Sequence, residues 1–267
     1  MSNGTNASET NQQIYSDGRI VDYYAHLQQL QGAEQVVLNQ LGADLAGMSL
    51  LDLGVGGGRT TRHFAPQVAR YVGLDYSVAM IAACQARYPE TPDEIGFEVG
   101  DVRDLSRFAP NTFDFILFSF NGLDYISHGD RCLALKEIQR VGKPGGYFCF
   151  SSHNLQGMEF LFRWHNRLRW NPLHNYIETF SWGLLRGFNL RLTPDKLAQL
   201  DYAIIKDEPH NFRLANYYIR PSAQLDQLAP HFDSVQIYTW QTGTEITDTA
   251  TLLANRDLWL YYLCRIR

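Results

Sequence analysis

Apolar residues fall along this chain in short blocks, and the blocks follow two different periods. Ser49–Leu53, Tyr71–Leu74, Ile95–Val99 and Phe113–Phe118 are runs of four to six mostly apolar residues. Runs of that length without polar alternation predict strands buried on both faces. Between them, the segments from about Arg59, from Ser77 to Arg87 and from Asp130 to Val141 have helical spacing. Lys143-Pro144-Gly145-Gly146 predicts a turn, and Tyr147–Ser151 a fifth strand. Upstream, from about Ile14 to Leu41, Tyr23, Tyr24, Leu27, Leu30, Val36, Val37 and Leu38 recur at helical spacing. Strands alternating with helices imply a parallel sheet covered on both faces.

The alternation stops near Asn154. The next stretch, to about Arg220, holds Trp164, Trp170 and Trp182 with many Phe and Tyr, but no strand–helix repeat. Within it, Thr193-Pro194 reads as an N-cap and first-turn proline. Residues 202–206 and 212–219 predict a hairpin across 207–210. The repeat resumes with a helix at Ser222–Leu228 and strands at Ser234–Trp240 and Leu258–Ile266. The expected organisation is therefore a core of residues 14–153 plus 221–267, interrupted by an inserted cap at 154–220. Residues 1–13 are polar and are expected to form a disordered tail.

Composition narrows the classes. A length of 267 residues allows one large α/β domain with an insertion. A formal net charge of −5 argues against a nucleic-acid partner. Nothing approaches the roughly 18 consecutive apolar residues of a membrane span, so no membrane partner is expected. The start of the chain lacks the basic and apolar regions of a signal peptide. Cys84, Cys132, Cys149 and Cys264 are scattered, with no C-x-x-C pair. They read as reduced thiols of a cytoplasmic protein that binds no metal.

The chemistry concentrates in Leu50-Leu51-Asp52-Leu53-Gly54-Val55-Gly56-Gly57-Gly58-Arg59-Thr60-Thr61. A buried strand breaks there into glycine and opens a helix. Such a loop lets a ligand approach the backbone, and the helix aims free N–H groups at it. In the dinucleotide fingerprint G-x-G-x-x-G the third glycine would fall at Arg59. The loop instead reads Asp52-x-Gly54-x-Gly56-x-Gly58. Asp75 ends the second strand, Gly100-Asp101-Val102 follows the third, and Phe118-Ser119-Phe120-Asn121 closes the fourth.

In these motifs the chain resembles the class I S-adenosylmethionine-dependent methyltransferases of the small-molecule type. The resemblance covers about 14–153 and, weakly, 222–267. It implies a Rossmann-like, doubly wound, seven-stranded sheet with the last strand antiparallel. It implies S-adenosyl-L-methionine as cofactor and S-adenosyl-L-homocysteine as product. Asp75 would accept from the ribose hydroxyls and Asp101 from the adenine amino group, with Val102 beside the ring. Tyr24, Asp52, Gly54, Gly56, Gly58, Arg59, Tyr76, Met80 and Ser119 complete the expected cofactor contacts.

The expected activity is methyl transfer to N or O of a small molecule. Such a displacement needs alignment above all, and a general base only when the nucleophile must lose a proton. Asn121 and His153, at the ends of the fourth and fifth strands, are the candidate catalytic residues. Asp124, His165, Arg167, Tyr217 and Tyr218 are the candidate substrate ligands. Two other classes remain open: a nicotinamide-dependent oxidoreductase, and a relative that binds the cofactor without catalysis.

Overall fold

The computed structural model describes residues 26–90, 92–208 and 212–267. The chain runs α1 (Gly32–Leu41), β1 (Ser49–Leu53), α2 (Thr61–Phe64), β2 (Arg70–Asp75), α3 (Val78–Arg87), β3 (Ile95–Val99), β4 (Phe113–Phe118), α4 (His128–Val141) and β5 (Gly142–Asn154). Then follow α5 (Leu155–Phe162), α6 (Pro172–Phe188), α7 (Pro194–Leu197), β6 (Tyr202–Lys206), β7 (Ala215–Ile219), α8 (Pro221–Leu228), β8 (Phe232–Thr239), α9 (Thr249–Ala254) and β9 (Trp259–Ile266). Residues 14–25 of the predicted first helix, and the predicted tail, lie outside the described residues.

The sheet runs β3-β2-β1-β4-β5, with β9 on β5 and β8 on β9. β9 is antiparallel to β5 and to β8. These are the expected strands with the last one reversed. The hairpin β6–β7 adds to them: β7 pairs parallel with His153 and Asn154 at the end of β5, and β6 pairs antiparallel with β7. Among the described residues the sheet therefore has nine strands. The predicted hairpin forms, but as a sheet extension rather than a separate layer. The predicted turn at Lys143–Gly146 is also absorbed into β5. Gly142 pairs with Phe113 and Tyr147 with Phe115, so the intervening residues bulge out, with Gly145 at φ +78°.

Alternate side chains of each strand enter two cores. Leu51, Val72, Leu74, Ile116, Phe148, Phe150 and Tyr262 pack with Leu135 and Ile138 of α4 and Leu228 of α8. Leu50, Tyr71, Phe115, Leu117, Cys149 and Tyr261 pack with Val37 of α1, Phe64 of α2 and Ile81 of α3. A third core lies under the hairpin, where Leu155, Met158 and Phe162 of α5 and Leu185 of α6 meet Ala203, Ile205 and Tyr218. The strand order reverses between β1 and β4. In open α/β sheets the carboxyl ends on either side of such a switch point frame a ligand crevice.

Candidate cofactor cleft

The crevice is present. It encloses about 1150 Å³, its open mouth included, and is walled by Leu53–Gly57, Arg59, Leu74–Tyr76, Met80, Gly100–Arg103, Phe118–Phe120, Gly122, Tyr125 and Ile126. Its size suits a small-molecule or cofactor site.

The glycine loop makes one wall. Gly54, Gly56 and Gly58 have φ of +62°, +56° and +79°, which an L side chain rarely adopts. Gly54 and Gly56 line the cleft, whereas Gly58, expected as a cofactor contact, does not and faces Tyr88 and Cys84 instead. The carbonyls of Gly56, Gly57 and Gly58 are each drawn toward α3. They accept hydrogen bonds of 2.9 Å from Cys84 Sγ, Arg87 Nη1 and Tyr88 Oη respectively. Gly56 N–H donates to Asp75 Oδ2 and Ser77 N–H to Asp75 Oδ1, both at 2.9 Å. Two backbone donors thus fix the Asp75 carboxylate, and each of its oxygens keeps a lone pair for a ligand. Burial pushes its pKa up, partly offset by those two hydrogen bonds.

Asp101 also lines the cleft, clamped by Arg103. Its oxygens accept from Arg103 Nε at 2.9 and 3.0 Å and from Nη2 at 2.6 Å. Partial burial would raise its pKa, but the Arg103 hydrogen bonds carry it below the usual range. The remaining walls at Leu74, Met80, Val102, Phe118 and Ile126 are apolar.

Asp52 is not among the cleft walls. It is buried beneath the loop and accepts from Thr60 Oγ1 at 2.5 Å and Tyr71 Oη at 2.6 Å. Its carboxylate holds the loop from below, which corrects the expectation of a cofactor contact. Burial pushes its pKa up to about 6 against the pull of those hydroxyls. Arg59 and Ser119 do line the cleft. Both bind Glu34 of α1, which sequence reasoning missed: Arg59 at 2.5 and 2.6 Å, Ser119 Oγ at 2.6 Å. A signal was present, since Glu34 is a lone carboxylate on the buried face formed by Ala33, Val37, Leu38 and Leu41.

The candidate catalytic residues form a buried network behind the cleft. Asn121 has φ +57° and follows Phe120 at φ +56°. Its neighbours Phe120 and Gly122 line the cleft, while Asn121 itself is 1% exposed. Asn121 Nδ2 lies 3.1 Å from His153 Nε2, and His153 Nδ1 lies 2.8 Å from Asp124 Oδ2. With Nδ1–H donated to Asp124, Nε2 accepts from Asn121. Asp124 also accepts from the His153 N–H, Ser152 Oγ and the Arg131 guanidinium. Arg131 in turn donates to Gln224 Oε1 at 2.7 Å. Asp124, expected as a substrate ligand, is therefore the hub of this network.

The other expected substrate ligands are likewise engaged away from the cleft. The Tyr217 hydroxyl meets His128 Nδ1 at 2.7 Å, and its ring lies under Arg131. Tyr218 donates to Asp207 at 2.5 Å and packs against the His153 ring at 4.6 Å. Arg167 is buried, with Glu178 at 3.1 Å and Glu208 at 3.4 Å. His165 is exposed two residues before it. Tyr24 lies outside the described residues.

Residues 50–146 match the family model described as "Methyltransferase domain". The chain is 30% identical over 121 residues to a ubiquinone biosynthesis O-methyltransferase of Pseudomonas syringae pv. tomato, covering 45% of this chain and 50% of that protein. It is 35% identical over 112 residues to a demethylmenaquinone methyltransferase of Renibacterium salmoninarum, covering 42% and 44%. The chain spans about half the length of the curated relatives it matches. Among solved structures, an S-adenosylmethionine-dependent methyltransferase from Mesorhizobium loti superposes with a TM-score of 0.58. The two are 20% identical, and the match covers 87% of this chain and 97% of that one.

Proposed function

We propose that the chain, whose residues 50–146 match the methyltransferase-domain model, is a class I S-adenosylmethionine-dependent methyltransferase that transfers a methyl group to N or O of a small molecule. The observation that carries the reading is the Asp75 carboxylate, fixed by the Gly56 and Ser77 amides at the switch-point cleft. The walls suit the cofactor's parts. Asp75 accepts the ribose hydroxyls, the Cβ-free backbone of Gly54 and Gly56 admits close approach, and Met80, Val102, Phe118 and Ile126 give the adenine an apolar slot. Asp101 supplies an acceptor at that slot, once Arg103 shares it. Arg59, with Phe120 stacked at 4.5 Å, lines the same cleft with its charge paired to Glu34.

When bound, adenosylmethionine supplies an electrophilic methyl group on a sulfonium. The chain's own residues then have to align an acceptor and exclude water, which on its own can lower a barrier by roughly 7–11 kcal/mol. Phe120 and Gly122 present that end of the cleft, and the strained turn between them is held by Asn121. His153 acts through Asn121 as a positioning residue, with Asp124 and Arg131 fixing its tautomer.

Three observations favour a small acceptor: a cleft of small-molecule size, the acidic chain and the quinone-directed names of two relatives. The segment 154–220 is proposed as the substrate-side cap, anchored to the sheet by β6–β7. The test is calorimetric titration with adenosylhomocysteine, followed by transfer of label from methyl-labelled adenosylmethionine to fractionated metabolites. Binding of adenosylhomocysteine with label in a small metabolite is expected. Binding of NADH instead would replace the reading with an oxidoreductase.

A further inference from the structure

Helix α6 has two apolar faces, and only one is covered. On the covered side Leu185 is buried in the core beneath the hairpin, and Trp182 Nε1 donates to the Phe162 carbonyl at 2.9 Å. On the opposite side Leu173, Tyr176, Ile177 and Phe180 stand at i, i+3, i+4 and i+7, with exposures of 68, 74, 57 and 66%. Trp170, just ahead of the N-cap Asn171, is fully exposed. Such a continuous apolar stripe marks an interaction surface more often than it marks ordinary protein exterior.

The segments that flank that stripe in the sequence carry more basic than acidic residues. Residues 159–196 carry Arg163, Arg167, Arg169, Arg186, Arg191 and Lys196 against Glu159, Glu178 and Asp195, in a chain whose net charge is −5, and Arg163 is paired with Glu159 and Asp195. Arg167 is spent on Glu178 and Glu208, while Arg169 and Arg191 are exposed. No helix among the described residues is long and apolar enough to cross a membrane. A helix of 17 residues, about 25 Å long, with an aromatic apolar face and arginines at its margins has the form of one that lies in a bilayer interface. A second copy of the chain would set these basic flanks against themselves, whereas anionic lipid gives them the opposite charge.

We infer that the exposed face of α6 docks this protein on an anionic lipid bilayer. Trp170, Tyr176, Ile177 and Phe180 enter the boundary between headgroups and acyl chains, and Arg169 and Arg191 meet lipid phosphates. The expectation of no membrane partner rested on the lack of a spanning run, and a surface-lying helix needs none. The inference stands on α6 and its surroundings, and it does not depend on which acceptor is methylated.

The test is co-sedimentation of the full chain with vesicles of phosphatidylcholine alone or mixed with phosphatidylglycerol. The protein should pellet with the mixed vesicles at least about tenfold more tightly than with phosphatidylcholine, and added salt should weaken this. Ile177→Ser combined with Phe180→Ser should lower that binding about tenfold or more, while leaving the thermal midpoint and adenosylhomocysteine affinity unchanged. Arg169→Glu, which leaves the apolar stripe intact, should also weaken binding. No pelleting with mixed vesicles would overturn the inference, as would pelleting that survives the double substitution. A concentration-dependent dimer abolished by the same substitutions, without lipid binding, would assign the face to a second copy.

Discussion

Arg59 and Glu34 meet fork to fork inside the protein, Nη1 to Oε2 at 2.5 Å and Nη2 to Oε1 at 2.6 Å. Glu34 Oε1 also accepts from Ser119 Oγ at 2.6 Å and Tyr261 Oη at 2.9 Å. One carboxylate thus ties α1 to the glycine loop, the end of β4 and β9. Burial by itself would raise its pKa, but the Arg59 charge beside it holds it below the ordinary carboxylate value. Removing one partner leaves the other charge buried and unpaired, which costs about 3–5 kcal/mol. Glu34→Gln should therefore lower stability by that amount in urea titration and loosen the cleft wall that Arg59 forms. Replacing both residues, Glu34→Gln with Arg59→Met, should restore part of the loss. A single variant as stable as the parent would show that the pair contributes nothing.

Asp75 has a different place, with its carboxylate at the cleft surface. Asp75→Ala should weaken adenosylhomocysteine binding by about 1.5–3 kcal/mol, since a charged acceptor is lost. The fold should persist, because the carboxylate caps only the Gly56 and Ser77 amides. Asp75→Asn keeps one acceptor oxygen and should lose less. Calorimetric titration reads both, and an unchanged affinity in the alanine variant would sink the ribose assignment.

Asp52 makes stability depend on pH. Its pKa is pushed up to about 6 in the fold, chiefly by burial, against about 3.9 in the unfolded chain. A raised carboxylate pKa means that the folded state holds the proton more tightly. The associated stability is present below about pH 4 and is lost as pH rises through about 6, a difference of about 3 kcal/mol. Asp52→Asn should remove that dependence while keeping an acceptor for Thr60 and Tyr71. Urea titrations across this range should show the two proteins converging at low pH and the asparagine variant ahead at neutral pH. Parallel curves would refute the shift.

The strands, the glycine loop and Asp75 were legible because each is local. Leu50–Leu53 is an unbroken buried run, and Asp75 stands at the end of the next one. Glu34 was not legible as a site residue because its partners Arg59, Ser119 and Tyr261 lie 25, 85 and 227 residues away. Asp124 reads as a free carboxylate after β4 until β5 brings Ser152 and His153 to it and α4 brings Arg131. The hairpin at 202–219 was visible, but its pairing with the last two residues of β5 was not. A register between distant strands leaves no local periodicity.

Gly58 tests the loop's geometry. Its φ of +79° strains any L side chain, and a Cβ there would lie 2.7 Å from Tyr88 Cε2 and 3.3 Å from Cys84 Sγ. Tyr88 is also the donor to the Gly58 carbonyl. Gly58→Ala should cost about 1–3 kcal/mol through strain and displacement of the ring, and should weaken adenosylhomocysteine binding. Gly47→Ala is the control, since a Cβ there meets nothing within 4 Å. Equal thermal midpoints for the two variants would contradict the strain argument.

His153 separates positioning from proton transfer. It is 3% exposed, with Nδ1 at Asp124 and Nε2 at Asn121. A general base has to reach the acceptor's proton directly or through one water, and here Asn121 occupies the nitrogen that would do so. His153→Ala should therefore leave adenosylhomocysteine affinity within about twofold, because no cofactor-facing wall changes. Label transfer to the acceptor fraction should fall by at least about tenfold, the low end of what misplacing a reacting group costs. The residual activity should keep the wild-type pH profile, since the group that titrates would still be present. His153→Gln, whose side-chain oxygen can accept from Asn121 Nδ2, should recover part of the rate. Loss of the profile's lower limb in both variants, without rescue by glutamine, would instead make His153 the base.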